Sequence, residues 1–133
     1  MKAIYASEIM TTPVISARED ASARDVALEL ISGVFSGMPV TDYENRIIGI
    51  ISELDIIKAV KNGNDLKNTL VSEIMTPDPV TAREDASAEE FIRIMEEFYI
   101  IRLPIVRDGK LVGIVSRSDV LRAVVDPKIV SHG

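Results

Sequence analysis

Residues 113–119 read Gly-Ile-Val-Ser-Arg-Ser-Asp, and residues 49–55 read Gly-Ile-Ile-Ser-Glu-Leu-Asp. Each stretch begins as a β-branched apolar run, which is typical of a buried strand. A serine then precedes an acid by three residues, and apolar residues follow at helical spacing. Each copy therefore predicts a strand that leads directly into a helix, with the serine and the acid at the junction.

Such a junction has two interpretations. The first turn of a helix carries free backbone N–H groups and the positive end of the helix dipole, which together can bind an anion. A carboxylate such as Asp55 or Asp119 can also accept two hydrogen bonds from a ribose diol. Alternatively, Ser-x-x-Asp is only a capping box, in which the two side chains bond to each other's backbone N–H. The tetrapeptide alone favours capping, because similar boxes are predicted at Ser22 and Ser87.

The chain contains an internal repeat. Ser-Glu-Ile-Met-Thr at residues 7–11, here called the leading segment, recurs at residues 72–76. Residues 17–23 also recur unchanged, at the same offset. The offset falls by one before Gly113, which indicates a residue lost in a turn, where length changes are tolerated. Asp-Gly at residues 108–109, between apolar runs, predicts a two-residue hairpin at that turn.

Each repeat predicts a β-α-β-β-α unit of the α/β class. The first strand is expected at residues 14–16 and at residues 80–81, and a helix capped by Ser22 or Ser87 follows it. A proline then begins the next strand, since proline is allowed at the first position of a strand. A hairpin and a closing helix complete the unit. The expected buried helix faces consist of Val26, Leu30, Ile31 and Val34 in the first repeat, and of Phe91, Ile94, Met95 and Phe98 in the second.

The repeats define two halves of one module. Residues 1–65 form repeat 1 with its linker, and residues 66–133 form repeat 2 with a short C-terminal tail. A unit of about 55 residues is marginal by itself, so we expect the two repeats to pack together about an approximate two-fold axis. Met10 and Met75 are expected to fill apolar gaps in the core or an interface.

Composition narrows the possible functions. The 133 residues are 47% hydrophobic and 27% charged, and the net charge of −6 argues against binding to nucleic acid. The absence of cysteine excludes disulfides and thiolate metal sites. With His132 as the single histidine, the usual nucleophile–base pairs are missing, so we expect neither an enzyme nor a metal site. Without a long apolar run or a signal peptide, we expect a cytoplasmic protein.

The ordered motifs resemble a tandem pair of CBS domains. The shared features are the leading segments, an apolar-Pro-apolar run at residues 38–40 and 103–105, and Gly-apolar-apolar-Ser-x-x-Asp after each hairpin. The resemblance covers about residues 6–125, and the set is specific because it occurs twice at matched spacing. It implies a regulatory module with two clefts that bind AMP, ADP or ATP. In some members the ligand is S-adenosylmethionine or a related adenosyl compound, and the modules often dimerise.

The resemblance also implies the residues of each cleft. The Ser-x-x-Asp of one repeat would face the leading segment, the first strand and the pre-proline residues of the other repeat. The aspartate would bind the ribose and the serine would face phosphate or sugar. The first strand and the pre-proline residues would contact the adenine. One cleft would comprise Ser116, Ser118, Asp119, Thr11, Val14, Ser16, Ser36, Gly37 and Met38. The other would comprise Ser52, Asp55, Thr76, Thr81, Ile101 and Arg102.

The two implied clefts are unequal. A basic residue at the position of Arg102 can bind phosphate in this family, whereas its counterpart Gly37 has no side chain to do so. Arg117 could add positive charge beside Ser116, and Leu54 stands where the second repeat has Ser118. We therefore predict different affinities for the two clefts.

Three hypotheses follow. The first is a ligand-sensing regulatory module, a homodimer that acts on an effector protein of unknown identity. The second is a structural dimerisation scaffold whose clefts bind nothing. The third, a nucleic-acid-binding protein, is disfavoured by the net charge of −6.

Overall fold

The computed structural model of the chain describes residues 4–33 and 35–125. The chain divides into two compact units, one formed by Ile15–Pro79 and the other by Met1–Val14 together with Val80–Gly133. The units do not follow the sequence repeats, because each unit contains the leading segment of the other repeat. The repeat boundary after residue 65 stays a prediction.

Both repeats contain the predicted order of elements. The mixed α/β class and the β-α-β-β-α order are confirmed, and one turn of helix precedes each repeat. In chain order, the described elements are α1 (Ala6–Ile9), β1 (Ala17–Arg18), α2 (Ala23–Gly33), β2 (Gly37–Thr41), β3 (Ile47–Ser52), α3 (Glu53–Lys61), a 3-10 turn (Leu66–Asn68), α4 (Val71–Ile74), β4 (Thr76–Pro77), β5 (Ala82–Arg83), α5 (Ala88–Glu97), β6 (Arg102–Arg107), β7 (Lys110–Ser116) and α6 (Arg117–Val125). No helix among these is long and apolar enough to cross a membrane.

Each unit is built on one sheet. In the unit of Ile15–Pro79 the strand order is β1-β2-β3-β4, with β1 parallel to β2 and the other pairs antiparallel. In the second unit the order is β5-β6-β7, with β5 parallel to β6 and β7 antiparallel to it. Thr11 bridges Ile114 at the edge of β7, so the leading segment of repeat 1 occupies the place that β4 has beside β3.

The first strand of each repeat lies later in the chain than predicted. The expected strands at residues 14–16 and 80–81 are wrong, because β1 begins at Ala17 and β5 at Ala82. The parallel neighbour decides this position: the pairing of β1 with β2 starts only where Ala17 meets Val40. Among the residues that the structure describes, the apolar residues just before Ala17 and Ala82 have no ladder partner in these sheets.

The prolines lie inside their strands rather than at the first position. Pro39 is the third residue of β2 and pairs with Ile50 of β3. On the other side, β1 pairs only with Val40 and Thr41. The edge of β2 that faces β1 therefore has no ladder partner at Pro39, and a residue without an N–H is tolerated there.

The hairpins differ in length as the sequence predicted. Thr41 pairs with Ile47 in the first repeat and Val106 with Leu111 in the second, so the second connection is one residue shorter. The Asp-Gly turn at residues 108–109 has φ angles of 53° and 78°. These are the left-handed conformations that a two-residue type I′ turn requires, and the predicted hairpin is confirmed.

The buried faces of α2 and α5 are narrower than predicted. The expected core positions that are buried are Val26, Leu30, Phe91 and Met95, with Ile94 packed partly against the same core as Phe91. Ile31 is 74% exposed because it lies about 100° around the helix from its buried neighbour. Phe98 is 52% exposed at the C-cap of α5, so both assignments to the core are wrong. Val34 lies outside the described residues.

Each leading segment forms a single helical turn that its glutamate closes. The Glu8 carboxylate accepts a hydrogen bond from the N–H of Tyr5 at 3.0 Å, and Glu73 accepts one from the N–H of Leu70 at 3.2 Å. The Ser-Glu-Ile-Met-Thr motif is thus a capped turn that presents its methionine.

The methionine of each leading segment packs against the glycine of the other repeat. A Cβ on Gly113 would overlap the Met10 sulfur and lie 3.0 Å from the Met10 Cβ. A Cβ on Gly49 would overlap the Met75 sulfur and lie 2.9 Å from the Thr76 carbonyl oxygen. The expected apolar packing of both methionines is confirmed, and these two positions require glycine because a side chain has no space there.

Gly113→Ala should therefore lower the free energy of unfolding by about 1–3 kcal/mol, the usual cost of overpacking. Met10→Ala combined with Gly113→Ala should lose less than the sum of the two single changes, because it removes the sulfur that the new methyl group meets. Urea denaturation of the four proteins measures this coupling. Additive losses would show that the two residues do not depend on each other.

Arg107, at the end of β6, forms a bidentate ion pair with Glu84. The Arg107 Nε lies 2.8 Å from Glu84 Oε1, and Nη2 lies 2.7 Å from Oε2. Hydrogen bonds from the Arg107 guanidinium hold the pKa of Glu84 below its ordinary value of 4.5. The pair joins β6 to the turn that follows β5.

Arg107→Ala should lower the melting temperature at pH 7, and this difference should shrink as the pH falls below about 4.5. A carboxyl group whose pKa is depressed by folding adds stability above its unfolded pKa, and that stability is lost as the pH falls through the folded value. Thermal melts between pH 7 and pH 3 test this. Lys110→Ala is the control, because Lys110 forms no ion pair within the described residues. A difference that persists unchanged to pH 3 would contradict the account.

Candidate functional site

Strands β3 and β7 each end at a serine that caps the following helix. The Ser52 Oγ accepts from the N–H of Asp55 at 3.1 Å, and the Asp55 carboxylate accepts from the N–H of Ser52 at 2.9 Å. Ser116 and Asp119 make the same pair of bonds, at 3.1 Å and 2.8 Å. Both junctions are thus complete capping boxes, as one of the two interpretations predicted.

The other two predicted boxes are only half formed. Ser22 accepts from the N–H of Asp25 at 3.1 Å, and Ser87 accepts from the N–H of Glu90 at 3.3 Å. Neither acid returns a bond to its serine in the described part of the chain, and both acids are exposed. The prediction of four equivalent boxes is therefore wrong. At the two junctions that follow a buried strand, the carboxylate is folded back against the backbone.

The helix amides at the junctions are partly satisfied within the protein. The N–H of Glu53, the first residue of α3, donates to the Ser36 carbonyl at 2.9 Å, and the N–H of Asp55 donates to Ser52. In α6, the N–H of Arg117 donates to the Ile101 carbonyl at 3.0 Å. Two of the first three amides are engaged at each junction, so an anion would find fewer donors there than a bare helix terminus offers.

The candidate residues are divided between the units. The unit that contains α6 holds Thr11, Val14, Thr81, Ile101, Arg102, Ser116, Ser118 and Asp119. The unit that contains α3 holds Ser16, Ser36, Gly37, Met38, Ser52, Asp55 and Thr76. Each unit is described by itself, so the grouping of residues from both repeats in one cleft stays a prediction.

In the unit that contains α6, the residues just before Pro104 lie beside the Ser116–Asp119 junction of the same repeat. Arg102 is the cross-strand partner of Ser116. The Arg117 side chain turns back to this segment, since its Nε donates to the Ile100 carbonyl at 3.2 Å. The direction of Arg117, which the sequence left open, is therefore defined. The grouping of Arg102 with Ser52 stays a prediction.

The α3 unit has the same arrangement without the basic side chain. Gly37 is the cross-strand partner of Ser52. On the other edge of β3, Thr76 pairs with Ile50, two residues before Ser52. Met38 is 3% exposed and belongs to the core of this unit. The backbone around Ser52 is thus bordered by the pre-proline segment on one side and by β4 on the other.

The two junctions differ in what surrounds the acid. Asp119 is 6% exposed, and its Oδ1 forms an ion pair with Nη2 of Arg122 at 2.5 Å. The Ser116 hydroxyl also lies 2.9 Å from that of Ser118. Asp55 has neither contact in the described ranges. Sequence reasoning missed Arg122, although its position three residues after Asp119 on a helix is the signal that could have found it.

Within residues 4–33 and 35–125, no group of three or more His, Cys, Asp or Glu side chains could hold a metal ion.

Comparison with known proteins identifies the repeats. The sequence profile of the CBS domain matches residues 6–62 and again residues 71–126. The chain belongs to the CBS domain family. The two matches coincide with the two β-α-β-β-α repeats, so the resemblance drawn from the motifs is confirmed.

Relatives of this CBS pair include part of a larger enzyme. The chain is 34% identical over 118 residues to an inosine-5'-monophosphate dehydrogenase from Methanocaldococcus jannaschii, covering 88% of the chain but 23% of that enzyme. The chain therefore spans about a quarter of the length of this relative.

Two solved structures of similar CBS proteins contain adenosine compounds. CBS domain protein PAE2072 from Pyrobaculum aerophilum, complexed with AMP, is 26% identical with a TM-score of 0.77, and the match covers 98% of this chain and 100% of that one. The CBS domain pair of protein MJ0100, in complex with 5'-methylthioadenosine and S-adenosyl-L-methionine, is 28% identical with a TM-score of 0.77. That match covers 94% of this chain and 98% of the other.

Proposed function

We propose that this CBS pair is a regulatory module that binds an adenosine nucleotide (AMP, ADP or ATP) at its two Ser-x-x-Asp junctions. The observation that carries the proposal is the position of Asp55 and Asp119, each held by its serine at the end of a buried strand. The AMP complex of the similar protein from Pyrobaculum aerophilum supports the choice of ligand class.

The chemistry of the junctions suits a ribose. A carboxylate has about four acceptor sites on its two oxygens, and each capping bond uses one of them. The remaining sites on Asp55 can accept the two hydroxyl groups of a ribose diol, and those on Asp119 can do so when the Arg122 guanidinium turns away from Oδ1. We propose that Ser52 and Ser116 contact the phosphate or the sugar. The adenine is proposed to contact the residues just before Pro39 and Pro104, together with Thr11, Val14, Ser16, Thr76 and Thr81.

An adenosyl ligand of another kind is the alternative. The similar CBS pair of MJ0100 holds 5'-methylthioadenosine and S-adenosyl-L-methionine. Both contain the ribose diol but lack a phosphate, so the proposed role of the aspartates is the same. The limited number of free helix amides at each junction favours this alternative more than the sequence alone did.

Asp55→Ala and Asp119→Ala should each abolish binding at one junction and halve the stoichiometry of AMP or S-adenosylmethionine, as measured by isothermal titration calorimetry. The free energy of unfolding should fall by only about 1 kcal/mol, as for a weakened helix cap. Asp25→Ala is the matched control, because Asp25 follows a serine at the same spacing but makes no return bond.

Two results would change the proposal. If neither substitution alters binding, the assigned site is wrong. If wild-type protein releases no heat with AMP, ATP or S-adenosylmethionine and its melting temperature does not rise, the structural scaffold is favoured. A gel shift that weakens steeply with salt would instead support nucleic-acid binding.

A signal requires that the ligand bind one arrangement of the protein more tightly than another. We propose that the output is a change in the packing of a homodimer or in contact with an effector protein, with no catalysis by this module. The match to a quarter of a dehydrogenase is consistent with an accessory role. A cytoplasmic location stays a prediction.

The closing helices carry exposed apolar residues that support the proposed homodimer. Ile57 and Val60 of α3 are 61% and 56% exposed, and the equivalent Leu121 and Val124 of α6 are 64% and 53% exposed. Their spacing of three residues places each pair on one face of its helix. Apolar residues repeated on equivalent faces are typical of surfaces that are covered by a partner.

Ile57→Glu combined with Leu121→Glu should convert the dimer to a monomer in sedimentation velocity. The melting temperature should no longer depend on protein concentration, because the stabilisation by association is lost. Tyr43→Lys is the control, since Tyr43 is 68% exposed but lies on a hairpin. A wild-type monomer, or a double variant that remains dimeric, would contradict the use of these faces.

A further inference from the structure

The acid of the second junction has a partner that the acid of the first junction lacks. Nη2 of Arg122 pairs with Oδ1 of Asp119, and Oδ2 of Asp119 accepts the N–H of Ser116. Both oxygens of this carboxylate are therefore engaged within the protein. Asp119 is also 6% exposed, which leaves little room for a further acceptor contact.

The first junction is open at the equivalent atom. Asp55 uses Oδ2 to accept the N–H of Ser52, whereas Oδ1 has no hydrogen-bond partner in the part of the chain that the structure describes. Lys58 occupies the helix position that Arg122 has in the second repeat, three residues after the acid. No ion pair joins Lys58 to Asp55 within the described residues.

The serines differ in the same sense. The Ser116 hydroxyl, which accepts from the N–H of Asp119, also shares a hydrogen bond with the Ser118 hydroxyl. The first junction has Leu54 in place of Ser118, so the hydroxyl proton of Ser52 has no such partner. The second junction is thus satisfied by its own side chains, and the first has an acceptor and a donor to offer.

We propose that Arg122 restrains the second junction by occupying the carboxylate oxygen that a ribose diol would use, which makes Ser52–Asp55 the higher-affinity site. This inference rests on the proposed function, because it assigns an affinity order to the same two junctions. Arg122 acts as an intramolecular competitor: the diol gains access to Oδ1 of Asp119 only when the guanidinium turns away.

The Arg122–Asp119 ion pair can lower the affinity of the second junction for a ligand and can still dissociate when the ligand binds. The Arg122 side chain is 54% exposed, so it can leave the carboxylate for solvent without a change in the fold. Ion pairs between exposed side chains have modest energies, which correspond to a change in dissociation constant of about two- to fivefold. We expect an effect of that order here because the guanidinium is half exposed, although Asp119 is buried. Lysine at the equivalent position has no fork of donors, and Lys58 forms no ion pair with Asp55 within the described residues, so it does not restrain the first junction.

Arg122→Met is the decisive substitution, because methionine keeps the apolar stem and removes every donor. It is measured in the Asp55→Ala background, in which only the Asp119 junction remains, by calorimetric titration with adenosine and with AMP. We expect Arg122→Met to tighten both ligands by about two- to fivefold. If Asp55→Ala alone shows no measurable binding, binding should become measurable when Arg122→Met is added.

The reciprocal pair of variants uses the first junction. In the Asp119→Ala background, Lys58→Arg introduces the missing guanidinium and should weaken adenosine binding by about two- to fivefold. Lys58→Met in the same background is the matched control and should leave the affinity unchanged, since Lys58 makes no pair with Asp55 among the described residues. Melting temperatures of all variants confirm that they remain folded.

Different failures have different meanings. If Arg122→Met weakens AMP but leaves adenosine unchanged, Arg122 binds the phosphate and the proposal is overturned. If neither ligand changes affinity while wild-type protein binds both, the restraint is overturned and the proposed function stands. If wild-type protein binds neither adenosine nor AMP, the proposed function fails, and the restraint fails with it.

Discussion

The close contact between a methionine and a glycine is the constraint on which both units depend. Met10 lies on Gly113 and Met75 lies on Gly49, with no space for a Cβ at either glycine. Each contact joins the leading segment of one repeat to the last strand of the other repeat, β7 for Met10 and β3 for Met75. The compact units therefore differ from the sequence repeats. Each unit is complete only when it includes the leading segment of the other repeat.

The same strands bring the candidate functional groups to their positions. Strand β7 continues for three residues from Gly113 to Ser116, the residue before α6, and Thr11 bonds to Ile114 between them. In the other unit, β4 pairs with β3 just before Ser52. Packing, strand pairing and helix capping thus act on one short stretch of backbone, and all three favour the same local conformation.

Capping and ligand binding are compatible at these junctions. The capping bonds orient each carboxylate and use only part of its acceptor capacity. The two junctions differ at residues that make none of the capping bonds: Arg122 against Lys58, and Ser118 against Leu54. With these two differences, both oxygens of Asp119 are engaged, whereas Oδ1 of Asp55 has no hydrogen-bond partner within the described residues.

The sequence by itself determined the repeat, the order of elements, the shortened hairpin and the strand-to-helix junctions, because these depend on local periodicity, turn chemistry and capping. It placed the first strands too early and Ile31 and Phe98 in the core, since strand pairing and helix burial depend on neighbours distant in the chain. Only the tertiary structure showed that Met10 and Met75 contact the glycines of the opposite repeat, and that Arg102 pairs with Ser116. It also decided which carboxylate is engaged, because the Asp119–Arg122 pair depends on side-chain direction at the surface of a packed helix, which residue spacing permits but does not specify.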